Sequence, residues 1–384
     1  MKKYDHPNLT YNDKEAVMRV LDKGILSGFR ATKEGHSGGE QVQLLEEAFC
    51  NHFEVRYAVA MNSATSCLHA AMIACGVGEG DEVITTPFTF SASASCALMV
   101  GAKPVFADID EDTFNIDPTT ISVNGKTKAI VAVHLQGHPV DMDNLPNVGI
   151  IEDAAQAIGA TYKNRNVGTM GRCGIFSFNQ SKPVTSGEGG MLVTNDKTIA
   201  ETCRLVRNHG ETQSAILGYN YRMGEMEAAL LLEQIKNLDW MNEWRITLAD
   251  LMTDRLSKVK GITPPVVKWG SKHTYYTYAV KFDKDIIGTG RDDFQRRLAD
   301  RGVYFGNKDY GKPLYLQPIY KKFGYKTGIS PVAERMWSNE IMVTDRLRFP
   351  MTLDDVEDMV DVIQDVVSDV ARENKKLFIV SATW

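Results

Sequence analysis

Up to about residue 200, short apolar runs alternate with stretches of helical periodicity, a pattern that predicts a mostly parallel α/β sheet. Tyr57 to Met61 reads as a strand, then a polar turn Asn62-Ser-Ala-Thr-Ser66, then a helix through Ala74. Glu82 to Thr85 is a second strand, followed by the turn Pro87-Phe-Thr-Phe90 and a helix through Met99. Lys103 to Ala107, Ala129 to Val133 and Val148 to Ile151 continue the series. Gly174 to Phe178 reads as a buried strand, and Gly187 to Thr194 turns back as its neighbour. In sheets of this kind, working side chains belong at the carboxyl ends of the strands. Further on, Met223 to Trp244 predicts one long helix leaving a large domain of residues 1–245. A smaller α+β domain, residues 246–384, carries an antiparallel strand at Tyr275 to Phe282. Its last helix is opened by the capping box Thr352-Leu-Asp-Asp355, with Val356, Met359, Val360, Ile363 and Val367 on one face.

The strand ends place two residues of interest. Lys182 follows the strand that ends at Phe178, and Pro183 behind it disfavours α geometry and keeps it on the connecting loop. Most lysines are solvated surface residues. One flanked by short polar residues and glycines at a strand end fits better as an amine that forms an imine with a cofactor. Glu152-Asp-Ala-Ala-Gln156 directly follows the strand that ends at Ile151. An acidic residue there is often only the N-cap of the next helix. Asp153 stands 29 residues before Lys182, at a comparable position on the sheet. A carboxylate and a lysine so placed can address opposite ends of one pyridine ring, which is what pyridoxal phosphate needs to act as an electron sink. The phosphate would need a helix N-terminus with small hydroxylated residues, which the turn at Asn62 to Ser66 supplies, and Ser177 could add a hydroxyl. The turn Pro87-Phe-Thr-Phe90 could stack one of its rings on the cofactor, although core packing is the default for any phenylalanine.

Composition narrows the alternatives. The chain has 384 residues, 43% hydrophobic, with a net charge of −6, so no basic stripe supports nucleic-acid binding. No apolar run approaches the ~18 residues of a membrane span, and the N-terminal residues do not resemble a secretory signal, so a cytoplasmic location is expected. Six scattered cysteines include no Cys-x-x-Cys pair and read as small buried hydrophobes. His134 and His138 could pair on a metal, but in a strand-to-loop turn they more often serve as satisfied polar groups, so no metal is expected. No Gly-x-Gly-x-x-Gly follows any strand, which argues against a dinucleotide-binding dehydrogenase.

These segments together resemble the sugar aminotransferases of the DegT/DnrJ/EryC1/StrS family, of the fold-type-I aspartate aminotransferase architecture. The matching stretches are Asn62 to Ser66, Pro104-Val-Phe-Ala-Asp-Ile-Asp110, Asn115-Ile-Asp-Pro118, Val133 to Pro139, Glu152 to Gln156, Ser177 to Lys182, Gly187-Glu-Gly-Gly190, Arg207-Asn-His-Gly210 and Gly218-Tyr-Asn-Tyr-Arg-Met223. The resemblance implies that Lys182 forms the imine with pyridoxal 5′-phosphate, Asp153 pairs with the pyridinium, Gln156 bonds the ring hydroxyl and Phe90 stacks. Thr65, Ser66 and Ser177 would hold the phosphate, joined by Asn220 from the other subunit of a homodimer. Sugar contacts are expected near Ser27, Gly28 and Tyr310.

The implied reaction moves an amino group from L-glutamate to a keto sugar, with the Gly-Glu-Gly-Gly form favouring a nucleotide-linked 4-keto-6-deoxyhexose. Gln180-Ser-Lys182 and Thr185-Ser-Gly187 also resemble the branch that aminates a keto-cyclitol such as scyllo-inosose with L-glutamine. A regulatory protein that merely retains a cofactor pocket is a rival of another class, disfavoured by the joint presence of Lys182, Asp153 and Gln156. The family's dehydratases resemble chains with histidine at the lysine position. Three segments depart from the family pattern: a short connection at Asp141 to Val148, an insert Glu34-Gly-His-Ser-Gly-Gly39 that reads as a flexible lip, and a tail Leu377 to Trp384 beyond the usual last helix.

Overall fold

A computed structural model describes residues 9–30, 35–210, 216–306 and 312–381, the last six of these as backbone only. Its centre is a seven-stranded sheet in the order β1-β9-β8-β5-β4-β2-β3. The strands are β1 (Tyr57–Met61), β2 (Glu82–Thr85), β3 (Lys103–Phe106), β4 (Thr127–Val133), β5 (Gly149–Asp153), β8 (Cys173–Ser177) and β9 (Gly190–Thr194), with a small hairpin of β6 (Thr161–Tyr162) and β7 (Arg165–Asn166) between β5 and β8. Neighbours β3, β2, β4, β5 and β8 are parallel, and β9 alone runs against both of its neighbours.

Both faces are covered, which is why these strands read as nearly continuous apolar runs. Side chains alternate between two cores: Val59, Met61, Val131, Ile151, Ile175 and Leu192 face one cluster, and Ala58, Ala60, Phe176, Met191 and Val193 face the other. Helices α3 (Ala64–Ala74), α4 (Ala92–Met99) and α5 (Lys197–Arg207) close the first. Helices α2 (Glu40–Phe53) and α6 (Glu225–Gln234) close the second, and α1 (Tyr11–Lys23) packs on the outside of α6.

The predicted strands all form, Tyr57–Met61 and Glu82–Thr85 with the expected ends and the others with shifted ones. The shift at β5 matters most, because Glu152 and Asp153 are its last two residues rather than the start of a helix. The expected single helix from Met223 to Trp244 is broken. A 3-10 turn at Ile235–Asn237 separates α6 from α7 (Leu238–Leu256), and the two serve different cores. Leu231 and Leu238 pack under the sheet, whereas Leu248, Met252 and Leu256 belong to a third cluster with Phe282, Phe294 and Met359. That third cluster lies against a three-stranded antiparallel sheet in the order β10-β12-β13, of β10 (Ile262–Thr263), β12 (Tyr278–Phe282) and β13 (Ile341–Thr344); the two-residue β11 (Ser271–Lys272) joins the β6–β7 hairpin instead.

The capping box forms as expected, with Thr352 Oγ1 accepting from the Asp355 amide and Asp355 Oδ2 accepting from the Thr352 amide. The last helix, Leu353–Ser381, runs on through most of the extra tail. The short connection at Asp141 to Val148 holds only a 3-10 turn, Met142–Asn144. The insert does not behave as a loose lip over its described part: Arg207 Nη2 donates to His36 O at 3.3 Å, and Glu225 accepts from the Gln41 amide at 2.8 Å just beyond Gly39. Among the described residues, no helix is long and apolar enough to cross a membrane.

Candidate active site

The carboxyl ends of β1, β5 and β8 converge on a cleft of about 530 Å³ lined by Ser63, Thr65, Phe90, Asp153, Gln156, Ser177 and Lys182, among others. Five of the sequence candidates are thus joined to Lys182 in one space. The turn after β1 is held close to β9: a side chain at Gly190 would bring Cβ within 2.4 Å of the Ser63 carbonyl carbon, so only glycine allows that approach. Ser63 caps α3 by accepting from the Ser66 amide at 3.1 Å, which leaves the first amides of this eleven-residue helix and the half-buried Thr65 at the cleft. Ser66 itself turns away. Its hydroxyl donates to Asn62 Oδ1 at 2.7 Å, and it does not line the cleft.

Asp153 is 5% exposed. Oδ2 accepts from Ser93 Oγ at 2.7 Å and Oδ1 from the Ala155 amide at 3.2 Å. No helix follows β5, so the carboxylate is not a helix cap. Burial pushes its pKa up, opposed by the Ser93 hydrogen bond, the Ala155 amide and the positive charge of Lys182. The adjacent Glu152 points to the opposite face. It is wholly buried and accepts from the Gly168 and Met170 amides at 2.7 and 2.6 Å. His134 Nδ1 accepts from the Val140 amide at 3.0 Å, so Nε2 carries the proton donated to Glu152. His134 is therefore a satisfied polar group, and so is His138, whose Nδ1 and Nε2 meet Pro139 O and the Lys268 amide.

Lys182 sits on a compact loop, its amide donating to Asn179 O at 2.8 Å and the Gln180 amide to Gly187 O at 2.8 Å. Its Nζ lies 4.1 Å from the centre of the Tyr276 ring. Tyr276 was hidden in a segment expected to be strand from Tyr275. Instead Tyr275 takes φ 48°, β12 starts at Tyr278, and Thr274 donates its amide to Gly137 O at 3.1 Å. Gly137 has φ 99° and would meet Thr274 Oγ1 at 2.7 Å through any Cβ, so two left-handed residues fit together and swing Tyr276 over the lysine. Gln156 is 5% exposed and accepts from the Gln136 amide at 2.8 Å, which directs its NH2 group to the cleft as a donor.

Sequence reading also missed Ser93 and Glu188. Ser93 lies in the run Ser91-Ala-Ser-Ala-Ser95, whose small residues mark a helix pressed on the sheet, and it is 1% exposed beside Thr89 Oγ1 at 3.1 Å. Glu188 lines the cleft and accepts from Asn179 Nδ2 at 2.8 Å.

Phe90 lines the mouth of the cleft, 62% exposed, and the remaining candidates lie elsewhere. Asn220 is exposed and outside the cleft of its own chain; its Oδ1 accepts from Arg222 Nε at 3.0 Å. Ser27 is exposed, and Gly28 packs against Gly39; neither lines the cleft. They belong to the same surface as Asn220, because Asn208 Nδ2 donates to Arg30 O at 3.2 Å while its Oδ1 accepts from Arg222 at 3.3 Å. Tyr219 and Tyr221, on either side of Asn220, stack on each other and meet His69 of α3 in the same chain edge to face. Tyr310 lies outside the described residues.

With this geometry, the comparisons with known proteins are decisive. The DegT/DnrJ/EryC1/StrS aminotransferase family profile matches residues 22–364. The chain belongs to this family. It is 34% identical over 328 residues to the GDP-perosamine synthase of Caulobacter vibrioides, covering 82% of this chain and 85% of that one. It is 39% identical over 341 residues to a pleiotropic regulatory protein of Geobacillus stearothermophilus, covering 84% and 87%. The solved structure of the aminotransferase from Psychrobacter cryohalolentis superposes with a TM-score of 0.88 at 33% identity, covering 96% of this chain and all of that one. The protein is therefore an aminotransferase with the fold-type-I architecture, in a family that depends on pyridoxal phosphate.

Proposed function

We propose that this aminotransferase holds pyridoxal 5′-phosphate in the cleft at Lys182 and moves an amino group from L-glutamate to a keto sugar, a nucleotide-linked 4-keto-6-deoxyhexose. The observation that carries the reading is the pairing of Asp153 and Lys182 in one cleft at the N-terminus of α3. The residues fit the group. A buried carboxylate with a raised pKa suits a ring N–H cation, which would supply the positive charge that burial denies it. The α3 amides, Thr65 and Ser177 suit a phosphate, the Gln156 NH2 suits a ring oxygen, and Phe90 stands at the mouth to stack. Asn220 of the partner subunit would complete the phosphate site, and the exposed surface of Ser27, Gly28 and Asn220 would serve a second copy in a homodimer. A cytoplasmic location fits a chain with no membrane-spanning helix among the described residues.

When bound, pyridoxal phosphate supplies a conjugated pyridinium that accepts the electron pair left at the donor's α-carbon. Asp153 holds the proton on the ring nitrogen, and Ser93 holds Asp153 in place. Lys182 Nζ takes the proton from the donor's α-carbon and delivers it on the same side of the cleft. Tyr276, tethered through its hydroxyl to Ser181 Oγ at 3.0 Å, covers the amine and limits water around it.

The name of the Caulobacter relative supports a sugar carried on a nucleotide. The name of the Geobacillus relative speaks of regulation, yet Lys182, Asp153 and Gln156 together support turnover in this chain. The test follows 2-oxoglutarate release from L-glutamate across a panel of nucleotide-linked 4-keto and 3-keto sugars, with scyllo-inosose and L-glutamine as a second arm. Amination of a 4-keto-6-deoxy sugar is expected. Turnover confined to scyllo-inosose with L-glutamine would replace this reading.

A further inference from the structure

A lysine that takes a proton during turnover must gain a positive charge, and something in the cleft has to receive that charge. Among the described residues no carboxylate stands within ion-pairing distance of Lys182 Nζ. The two carboxylates that line the cleft are engaged elsewhere: Asp153 by Ser93 Oγ and the Ala155 amide, Glu188 by Asn179 Nδ2. What Nζ does meet is the face of Tyr276, 4.1 Å from the ring centre. A cation over an aromatic face is attracted by the negative side of the ring quadrupole.

The ring is fixed in that position from both ends. Thr274 and Thr277 on either side of it are buried, and their amides donate to Gly137 O at 3.1 Å and Gln136 O at 3.4 Å. Between these anchors Tyr275 is left-handed, so the backbone turns and presents Tyr276 to the cleft. At the far edge of the ring, the hydroxyl shares its 3.0 Å hydrogen bond with Ser181 Oγ, one residue before the lysine, and Ser181 Oγ also donates to Asn179 Oδ1 at 3.2 Å. Tyr276 is thus tied to the turn after β4 through its backbone and to the lysine loop through its hydroxyl.

We propose that Tyr276 is a further catalytic residue, whose ring face stabilises the ammonium that forms on Lys182 when it takes the donor's α-proton. In that step the donor's α C–H bond breaks and its electron pair passes into the conjugated ring of the cofactor. The proton forms the third N–H bond of Lys182, and a neutral amine becomes a cation. A carboxylate beside Nζ would stabilise the same cation too well, holding the lysine protonated and denying it the role of base. An aromatic face favours the cation more weakly, takes no proton itself and leaves the amine free to pass its proton on. Because the ring is anchored before the charge appears, no reorganisation is needed when it does. The inference rests on the aminotransferase reading, in which Lys182 is the base.

The test replaces Tyr276 by phenylalanine and by phenylalanines carrying one, two or three ring fluorines, which drain the ring face of negative potential at nearly constant size. In the holoenzyme, the first half-reaction with L-glutamate is followed by the loss of the cofactor's visible absorption, with α-deuterated L-glutamate to isolate the proton transfer. Tyr276→Phe should stay within about threefold of the wild type, and each added fluorine should slow the isotope-sensitive rate further, to a total of about 10-fold. Tyr276→Leu should cost about 10- to 30-fold. A second readout needs no turnover: in the apoprotein at fixed pH, acylation of Lys182, scored by peptide mass against the other lysines, should speed up with each fluorine as the ammonium loses its support. Should Tyr276→Leu fail to fold, the isosteric series still decides. A series flat in both readouts overturns the proposal, reduces Tyr276 to a cover over the amine and leaves the aminotransferase reading intact. A wild-type holoenzyme that reacts with no amino acid overturns both.

Discussion

The floor of the cofactor cleft and its outer surface are built on different terms. Asp153, Gln156 and Ser93 are at most 5% exposed, lie at a strand end, in the turn just beyond it and on a helix pressed against the sheet, and are already hydrogen-bonded within the chain. Phe90 is 62% exposed, and the Ser27 to Arg30 and Asn220 to Arg222 segments face away from the cleft of their own chain. A floor that is complete within one chain can hold its geometry before anything binds, which is what electrostatic catalysis requires. A surface pinned by an Arg30–Asn208–Arg222–Asn220 chain of hydrogen bonds, yet facing outward, is organised for something that comes from outside.

The largest effect should come from the floor. Lys182→Ala should lower kcat by roughly 10⁴-fold or more, since both amine and base are lost, and the cofactor should stay bound through the α3 contacts. In the wild type, borohydride should fix the cofactor to the Lys182 peptide; a tag on another lysine would move the floor elsewhere. Asp153→Asn should cost about 10²–10³-fold in kcat with little change in the unfolding midpoint, because an amide keeps the hydrogen bond from Ser93 and removes a buried charge. A variant turning over at the wild-type rate would reduce Asp153 to a structural role.

Ser93→Ala is milder. It removes one of the contacts that favour the ionised form of Asp153, so the pKa of the carboxyl should climb further and kcat should fall about 5- to 10-fold. The readout is a shift of the acid limb of the pH–rate profile to higher pH, which a purely structural loss would not produce.

The smallest effect sits away from the chemistry. His138 is held neutral, its Nε2 accepting from the Lys268 amide, and burial pushes its pKa down to about 4. The unfolded chain binds that proton near pH 6.5, so the stability tied to neutral His138 is fully present above that value and is lost as pH falls toward 4, amounting to about 3 kcal/mol. Urea unfolding at pH 7 and pH 5 should show a drop that shrinks in His138→Asn. An undiminished drop would assign it to other groups such as the buried His273.

The same contrast explains what could be read from the chain. Strand positions, the lysine loop and the pairing of Asp153 with Lys182 follow from local alternation and from polar residues at strand ends. Local pattern could not show that Asp153 is the last residue of a strand, because its neighbour Glu152 looks like a solvated acid until three backbone amides close around it. Nor could it show Tyr276, since alternation in Tyr275 to Phe282 reads as strand and only the distant Gly137 turn forces Tyr275 into left-handed geometry. The break at Ile235–Asn237 is of the same kind, a long apolar helix divided because its two halves face different cores.

The claim that one chain builds the floor and another completes it is tested most directly by mixing. Lys182→Ala and Asn220→Ala dimers, each first shown to be severely impaired, are dissociated together and reassociated. If Asn220 serves the neighbouring site, each hybrid holds one intact site, and with half of the dimers hybrid the mixture should recover about a quarter of wild-type activity. If Asn220 serves its own chain, no hybrid contains an intact site, activity stays at the level of the separate variants, and the division between floor and partner is contradicted.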